Sequence, residues 1–226
     1  MKPSVCIIIP ALNEEETLPV LLDMILSQVA EVIVVDNGSE DDTSLVAKSK
    51  GAKLVFEPRR GYGQACLSGI AAAQEHDILV FLDADLSDDP RVLSKLLEPI
   101  LRGEADFVVS SRMGVESRKA MSWVQRNGNR FACLLMNWRW RANYTDLGPF
   151  RAITMAALKT LDMKDLNYGW TVEMQIKACK KRLRVRELEV PYGQRAGGKS
   201  KVSGTLSGVV KAGSKILYII AKEAIF

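Results

Sequence analysis

The first half of the chain alternates short apolar runs with amphipathic stretches, and this alternation restricts the fold more than any other feature. The runs are continuous, short and rich in β-branched residues, as strands covered on both faces should be. They occupy residues 5–9, 31–35, 53–56, 78–82 and 106–110. The amphipathic stretches between them are 15–28, 43–50, 63–75 and 91–101. This order predicts an α/β fold, with a mostly parallel, Rossmann-like sheet flanked by helices.

The polar, turn-rich segments of this half follow the predicted strands. They read "PALNEE", "DNGSEDDTS", "EPRRGYGQA" and "DADLSDDP". In open parallel sheets, ligands bind at the carboxyl ends of the strands. We therefore expect the functional site to be built from these four segments.

One of these segments places two carboxylates directly after a buried run. Asp83 and Asp85 lie two residues apart, so both side chains lie on one face of an extended segment and repel each other. Magnesium and manganese take hard oxygen ligands of this kind, often with substrate phosphates completing the shell. The pair is predicted to hold a metal ion, a diphosphate bridged by that ion, or a sugar hydroxyl. Asp88 and Asp89, just before Pro90, are interpreted as helix-capping residues.

Charge divides the chain into two unlike halves. Residues 1–111 carry 9 Lys and Arg against 19 Asp and Glu, whereas residues 112–226 carry 22 against 8. We expect 1–226 to be a single domain whose two halves, 1–111 and 112–226, present partner surfaces of different sign. The asymmetry also fits two solvated faces of one domain.

Two segments of the basic half have the composition of surfaces that rest on membranes. Residues 117–145 mix six cations with tryptophans and contain no acid. From Thr205 onward, apolar residues recur at helical spacing and predict a C-terminal amphipathic helix. Contact with the membrane surface is therefore expected.

The remaining compositional features point to a reduced compartment. The four cysteines form no Cys-x-x-Cys pair, which argues against a zinc site. The amino-terminal residues do not read as a signal peptide, and no run reaches the roughly 20 apolar residues of a membrane span. We expect a cytoplasmic protein that can associate with the inner face of the membrane.

The chain contains seven motifs whose order identifies a protein family more specifically than any single motif does. They are "IIIPALNEEETL", "VIVVDNGSEDDT", "RRGYGQACLSGIAAA", "FLDADLSDDP", "SSRMG", "DLGPFRAI" and "RAGGKSKVSGT". In this order the sequence resembles the family-two glycosyltransferases of the GT-A fold. Within them it is similar to the polyprenyl-phosphate (dolichyl-phosphate) mannosyl- and glucosyltransferases. The resemblance covers nearly the whole chain and implies a nucleotide-binding half (1–111) and an acceptor-binding half (112–226).

The resemblance implies roles for individual positions. The nucleoside pocket would be formed by Pro10, Leu12, Glu14, Val35, Asp36 and Asn37. The metal and diphosphate motif would be Asp83, Ala84 and Asp85. The cations that grip the phosphates would be Arg112, Arg195 and Lys201. Position 12 is Leu where the dolichyl relatives commonly have Tyr, and position 37 is Asn where many have Asp.

The catalytic candidates are Asp85, Arg195, Lys201, Asp146 and Glu173. Of these, Asp146 and Glu173 are the carboxylates of the basic half expected to face the acceptor, although Glu173 could instead pair with a nearby cation. A phosphate acceptor is already ionised at neutral pH and needs no general base. For a hydroxyl acceptor, Asp146 would be the candidate base.

The expected reaction is inverting transfer of a hexose from a UDP- or GDP-sugar, with Mg²⁺ or Mn²⁺, to a polyprenyl phosphate. Transfer to a soluble hydroxyl acceptor is the main alternative. A nucleotidyltransferase usually has a glycine-rich basic segment after the first strand, which "PALNEEETL" lacks. A nucleic-acid-binding module is disfavoured because the acidic half would repel a phosphate backbone.

Overall fold

The computed structural model describes residues 3–114, 117, 120–197 and 206–225. Within these ranges the chain forms one seven-stranded sheet with helices on both faces. The strands are β1 (Val5–Ala11), β2 (Glu31–Asp36), β3 (Lys53–Phe56), β4 (Ile78–Phe81), β5 (Phe107–Ser111), β6 (Arg151–Thr154) and β7 (Val185–Glu189). The helices are α1 (Leu18–Ile25), α2 (Thr43–Ser49), α3 (Tyr62–Ala72), α4 (Leu93–Leu101), α5 (Trp123–Trp140), α6 (Met155–Leu161), α7 (Trp170–Lys180) and α8 (Leu206–Ile225).

The strand order is β3-β2-β1-β4-β6-β5-β7. Only β6 among the described strands runs against its neighbours, pairing antiparallel with both β4 and β5. The remaining neighbours pair in parallel. The mostly parallel α/β fold expected from the alternating pattern is confirmed, and the five predicted strands of the first half are all present.

Burial on both faces explains why these strands are apolar throughout. In β1, Ile7 and Ile9 belong to the cluster under α1 and α4. Cys6 and Ile8 point the other way, into the cluster under α3 and α7. All four are fully buried. Because successive side chains alternate between faces, a strand covered on both sides must be apolar at every position.

The sequence did not predict β6. This strand has four residues and begins with a fully buried charged residue, Arg151. Its guanidinium donates to the backbone carbonyls of Gly148 and, at 3.1 Å, Thr171. Burial of a cation is tolerated here because carbonyl acceptors replace water. A short strand of this composition gives no apolar pattern to detect.

A third apolar cluster joins the helices of the second half. It contains Ala132, Cys133 and Met136 of α5, Val172 and Ile176 of α7, and Ile219 and Ile220 of α8. The amphipathic C-terminal helix expected from the sequence is thus present as α8, with its buried face on this cluster. Among the described helices, none is both long enough and apolar enough to cross a membrane.

The amino end of α3 is held very close to the loop that precedes α7. Gln64 donates its backbone N–H to the carbonyl of Leu166 at 2.9 Å. A Cβ atom at Gly63 would lie only 2.0 Å from the carbonyl oxygen of Asp165. The close approach of the two backbones therefore requires glycine. It also fixes Tyr62, whose hydroxyl reaches the carboxyl end of β4.

Gly63→Ala is expected to lower the free energy of unfolding by about 1–3 kcal/mol, because the loop and the helix must separate. The matched control is Gly128→Ala, in the exposed middle of α5, where an added Cβ meets nothing within 4 Å. There the same change should be neutral or stabilising by about 0.5–1 kcal/mol. Urea denaturation of both variants measures the difference. Equal stabilities would show that the two backbones are not in tight contact.

Candidate active site

The carboxyl ends of β1, β2 and β4 meet at one edge of the sheet, above a cavity of about 660 Å³. Its described lining is Pro10, Ala11, Leu12, Glu14, Asn37, Arg60, Gly61, Tyr62, Ala65, Asp83, Ala84, Asp85, Ser87, Arg112, Ala120, Gln125, Asn167, Tyr168, Tyr192, Gly193, Gln194 and Arg195. The four polar segments named from the sequence all contribute to it. The second half closes the cavity with the loop before α7, the start of α5 and the segment after β7.

Asp83 and Asp85 stand together at the end of β4. The Asp83 carboxylate accepts a hydrogen bond from the Tyr62 hydroxyl at 3.1 Å, and the Asp85 carboxylate accepts from the backbone N–H of Ser87 at 2.9 Å. Burial, followed by the charge of Asp85, raises the pKa of Asp83 to about 6. A divalent cation bound by oxygens of both carboxylates would offset this repulsion. The pair therefore fits a hard metal ion facing the cavity.

Arg195 lies between this pair and the end of β1. Its guanidinium pairs with Glu14 and lies 3.7 Å from the Asp85 carboxylate. The backbone N–H of Ala196 donates to the carbonyl of Asp85 at 3.1 Å. The segment after β7 is thus attached to the carboxylate loop and carries a cation into the cavity. Lys201, the other cation expected from this segment, lies outside the described residues.

The structure brings most of the expected nucleoside-pocket residues to the cavity. Pro10, Leu12, Glu14 and Asn37 line it. The side chain of Asn37 is used within the wall: it donates to the carbonyls of Glu57 at 3.0 Å and Arg59 at 2.8 Å, and accepts from the N–H of Gly61 at 2.7 Å. Asn37 therefore shapes the loop that leads into α3.

Val35 and Asp36 are not among the residues that line the cavity. Val35 is fully buried in the cluster under α3. The Asp36 carboxylate accepts from the backbone N–H of Ser39 at 2.8 Å and from the Ser44 hydroxyl. These positions support the wall from behind, because the last side chains of β2 point into the core and back towards α2.

Arg112, at the end of β5, lines the cavity. On the side away from the cavity its guanidinium forms an ion pair with Asp146. The Asp146 carboxylate accepts from Arg112 at 2.7 Å and 3.0 Å through the guanidinium and at 3.0 Å through the backbone N–H. Asn129 adds a further hydrogen bond at 2.6 Å. Burial would raise the pKa of Asp146, but Arg112 outweighs it and lowers that pKa.

Asp146 was expected to face the acceptor, and the structure does not place it there. Its side chain is fully buried and does not line the cavity. A carboxylate with a lowered pKa and every oxygen engaged is a poor general base. Its role is to fix Arg112, whose guanidinium also lies 5.0 Å from the centre of the Tyr192 ring.

Glu173 likewise lies away from the cavity. It is buried at the start of α7, pairs with Lys177 at 2.8 Å and accepts from the backbone N–H of Asp165 at 2.8 Å. The sequence left open that Glu173 pairs with a nearby cation, and the structure shows this pairing. Glu173 thereby holds the loop whose Asn167 and Tyr168 line the cavity.

The interpretation of Asp88 as a helix cap is wrong, although that of Asp89 is confirmed. Asp89 accepts from the backbone N–H of Arg91 at 3.0 Å, at the start of the short 3₁₀ helix Pro90–Val92. Asp88 is buried, forms a backbone bridge with Tyr192, and its carboxylate has no hydrogen-bond partner among the described residues. Burial raises the pKa of Asp88 to about 8, although Arg112 acts to lower it.

Sequence reasoning also missed Tyr62, Tyr192 and Arg60 as cavity residues. Arg60 and Tyr62 lie in the polar segment after β3, whereas Tyr192 lies between β7 and the last motif, outside the segments singled out from the sequence. Aromatic residues in such segments gave no periodic signal, and only the tertiary structure brings them together. The described residues contain one group of three potential metal ligands, Cys6, Glu31 and His76, but these belong to the opposite edge of the sheet.

Asp146→Asn is expected to lower the free energy of unfolding at pH 7 by about 3–5 kcal/mol, because it leaves the buried Arg112 charge unpaired. The pKa of Asp146 is depressed by folding. Its contribution is therefore present above the unfolded pKa of about 4 and disappears as pH falls through the lower folded pKa. The gap between the two proteins should narrow in acid.

The matched control is Asp162→Asn, which removes an exposed, solvent-screened ion pair with Lys164 and should leave the free energy of unfolding almost unchanged. Chemical denaturation at pH 7 and in mild acid measures both variants. A loss for Asp146→Asn no greater than that of the control would contradict the structural role of the Arg112–Asp146 pair.

Comparison with known proteins agrees with this geometry. The model of the family described as "Glycosyl transferase family 2" matches residues 6–161. An uncharacterized glycosyltransferase of Mycobacterium tuberculosis is 40% identical over 213 residues, covering 92% of this chain and 94% of the relative. The undecaprenyl-phosphate mannosyltransferase of Micrococcus luteus is 31% identical over 223 residues, covering 89% and 88%.

Among solved structures, the chain is similar to glucosyl-3-phosphoglycerate synthase from Mycobacterium tuberculosis in complex with Mn²⁺, UDP-glucose and phosphoglyceric acid. The TM-score is 0.78 at 25% identity, and the match covers 97% of this chain and 80% of that one. The α/β fold, with its seven-stranded and mostly parallel sheet, is therefore that of a GT-A glycosyltransferase. The family match spans well over half of the chain, and we conclude that this protein belongs to glycosyl transferase family 2.

Proposed function

We propose that the protein transfers a hexose from a UDP- or GDP-sugar to a polyprenyl phosphate, with inversion at the sugar carbon. One observation carries the choice of acceptor. Three carboxylates line the described cavity. Glu14 pairs with Arg195, and Asp83 and Asp85 form the pair assigned to the metal. Asp146, behind the cavity, is hydrogen-bonded to Arg112. Among the described residues the cavity thus offers no obvious general base, which suits a nucleophile that is already ionised.

The donor would occupy the cavity with its diphosphate at the carboxylate pair. Asp83 and Asp85 would hold a divalent cation, Mg²⁺ or Mn²⁺, which when bound neutralises charge that develops on the leaving phosphate. This assignment is supported by the solved relative, whose structure contains Mn²⁺ and UDP-glucose. The residues at the end of β1 and the loop fixed by Asn37 would bind the nucleoside.

Arg195 is placed to act on the leaving group. Its guanidinium lies 3.7 Å from Asp85, so a diphosphate at the carboxylate pair would come within its reach. Arg60 lines the same cavity, and Arg112 presents a cation whose orientation is fixed by Asp146. Fixed positive groups stabilise charge at the place where it appears in the transition state.

The acceptor phosphate would attack the sugar carbon directly through one of its oxygens. The new bond joins that oxygen to the anomeric carbon, and the bond to the nucleoside diphosphate breaks with its electron pair on the leaving oxygen. Because the nucleophile carries no proton to remove, the chain needs only cations to orient it. The similarity to an undecaprenyl-phosphate mannosyltransferase over most of the chain supports this acceptor class.

A small phosphorylated acid with a free hydroxyl is the second candidate acceptor. It is favoured by the structural similarity to glucosyl-3-phosphoglycerate synthase over 97% of this chain. This acceptor would also use cations for its phosphate, but its hydroxyl would need a base. The two candidates therefore differ in the chemistry that they require of the cavity.

Transfer assays with radiolabelled UDP- and GDP-hexoses separate the candidates. Each donor is offered with Mn²⁺ and either a short-chain polyprenyl phosphate or phosphoglyceric acid. Label that enters the polyprenyl phosphate as an acid-labile sugar phosphate supports the proposal. Label that appears only in the phosphorylated acid would overturn the lipid acceptor and retain the glycosyltransferase.

Asp85→Asn should remove most of the metal dependence of nucleotide binding, because one of two oxygen ligands loses its charge. We expect the enhancement of UDP or GDP affinity by Mn²⁺ to fall at least about tenfold. Calorimetry with and without Mn²⁺ measures it. Asp89→Asn is the control, since it makes the same charge change in the same loop outside the cavity lining. Unchanged metal dependence in Asp85→Asn would contradict the assignment.

Arg195→Ala should lower kcat by about 100-fold while changing donor affinity much less, because its cation meets charge that develops in the transition state. Arg91→Ala, which removes an exposed arginine paired with Asp89, serves as the control and should leave both constants unchanged. Steady-state kinetics and donor titration give the two quantities. An effect confined to KM would show that Arg195 binds the ground state only.

A further inference from the structure

Helix α5 exposes a row of large apolar side chains. Trp123, Phe131, Leu134 and Trp138, called here the α5 stripe, are spaced by eight, three and four residues and so share one face of the helix. Trp123 is 70% exposed and Trp138 is 80% exposed. Phe131 and Leu134 are each more than half exposed. Single exposed apolar residues are ordinary, but an aligned row with two exposed tryptophans indicates a binding surface.

The packing of α5 within the protein does not use this stripe. The opposite face of the helix buries Ala132, Cys133 and Met136 against α7 and α8. Helix α5 is therefore already anchored to the rest of the structure. Its stripe is a second apolar face, which the described part of the chain leaves uncovered.

Positive charge accompanies the stripe. Arg126 and Arg130 lie along one edge of it on the helix surface, and neither pairs with a carboxylate within the ranges that the structure describes. The sequence from 117 to 145 contains six cations and no acid. Aromatic residues beside unpaired arginines are the composition of surfaces that lie on anionic lipid.

The stripe begins close to the residues that line the cavity. Ala120 and Gln125, on either side of Trp123 in the sequence, both line the cavity. A flat apolar surface that contacted the start of the stripe would therefore lie near the cavity wall. An acceptor phosphate at the level of lipid headgroups would need to travel only a short way to reach the cations inside.

The adjacent helix offers further apolar contacts. In α8, Val210, Leu217, Tyr218 and Ile225 are exposed. The ends of the two helices are joined, since Arg139 donates to the backbone carbonyl of Ala224 at 3.1 Å. The exposed apolar area is thus not confined to a single helix.

We propose that the α5 stripe, with Arg126 and Arg130, docks the protein on the surface of a bilayer that contains anionic lipid. The inference rests on the proposed function only for its purpose, which is to bring the cavity to a lipid-borne acceptor. A second copy of the chain is a less suitable occupant. Two such basic segments would bring arginines together with no acid between 117 and 145 to pair with them.

Vesicle flotation tests the docking with the full chain. The wild-type protein should float with vesicles of phosphatidylcholine and phosphatidylglycerol, and much less with phosphatidylcholine alone. Trp123→Ser with Trp138→Ser should weaken partitioning at least about tenfold. Arg126→Gln with Arg130→Gln should remove the preference for anionic vesicles. A blue shift of tryptophan fluorescence on adding vesicles should occur in the wild type and be lost in the tryptophan variant.

The matched control replaces two exposed leucines elsewhere, Leu45→Ser with Leu101→Ser, and should float as the wild type does. Vesicle binding that is absent, or that is equal in wild type and tryptophan variant, would overturn the proposal. So would a wild-type dimer that the tryptophan substitutions convert to a monomer without any vesicle binding in either protein.

A transfer assay with short-chain polyprenyl phosphate in solution distinguishes a failure of membrane docking from a failure of the proposed function. Stripe variants should transfer sugar to that soluble acceptor at the wild-type rate while losing transfer to acceptor in vesicles. A wild-type protein that floats through the stripe but ignores polyprenyl phosphate would refute the acceptor and leave the docking surface standing. Loss of transfer to the soluble acceptor in the stripe variants would overturn a role limited to docking.

Discussion

The repulsion between Asp83 and Asp85 is the constraint on which the site depends. The chain places both carboxylates at the end of a buried strand, where burial and proximity raise the pKa of Asp83. Protonation of one carboxylate, or the approach of positive charge, relieves such repulsion. Arg195 supplies part of that charge from the segment after β7, and the cavity leaves the carboxylates open to a cation and an anionic substrate. The groups at the carboxyl edge of the sheet therefore surround a site that needs positive charge.

Two buried carboxylates fix the position of groups that line the cavity. Asp146 orients Arg112 through a two-pronged ion pair, and Glu173 holds the loop that precedes α7. These carboxylates act through other groups and do not face the cavity. The distinction matters for mechanism, since a fully engaged carboxylate cannot accept a proton from a substrate. The proposed acceptor, a nucleophile that needs no base, is consistent with this arrangement of the described carboxylates.

Local pattern was enough to predict the elements that are apolar throughout and the edge of the sheet where the loops converge. The position of Asp83 and Asp85 on the cavity was also predictable, because the two acids directly follow an apolar strand. Their metal role stays a prediction. The role of Asp146 was not, since nothing in "TDLGPFRAI" reveals that Arg112 lies against it. Asp88 resembled a cap because a proline follows the Asp88–Asp89 pair, whereas its burial depends on a bridge to Tyr192, about a hundred residues away. The exposure of Trp123 and Trp138 also required the structure, because tryptophans at helical spacing are as typical of a core.

The most direct test of the account is to locate the metal. A crystal of the protein grown with Mn²⁺ and a nucleoside diphosphate should show an anomalous peak about 2 Å from carboxylate oxygens of both Asp83 and Asp85, with the diphosphate completing the shell. A peak bound to other residues, such as Cys6, Glu31 and His76, or a diphosphate bound in the cavity without any metal at the carboxylate pair, would contradict the central claim.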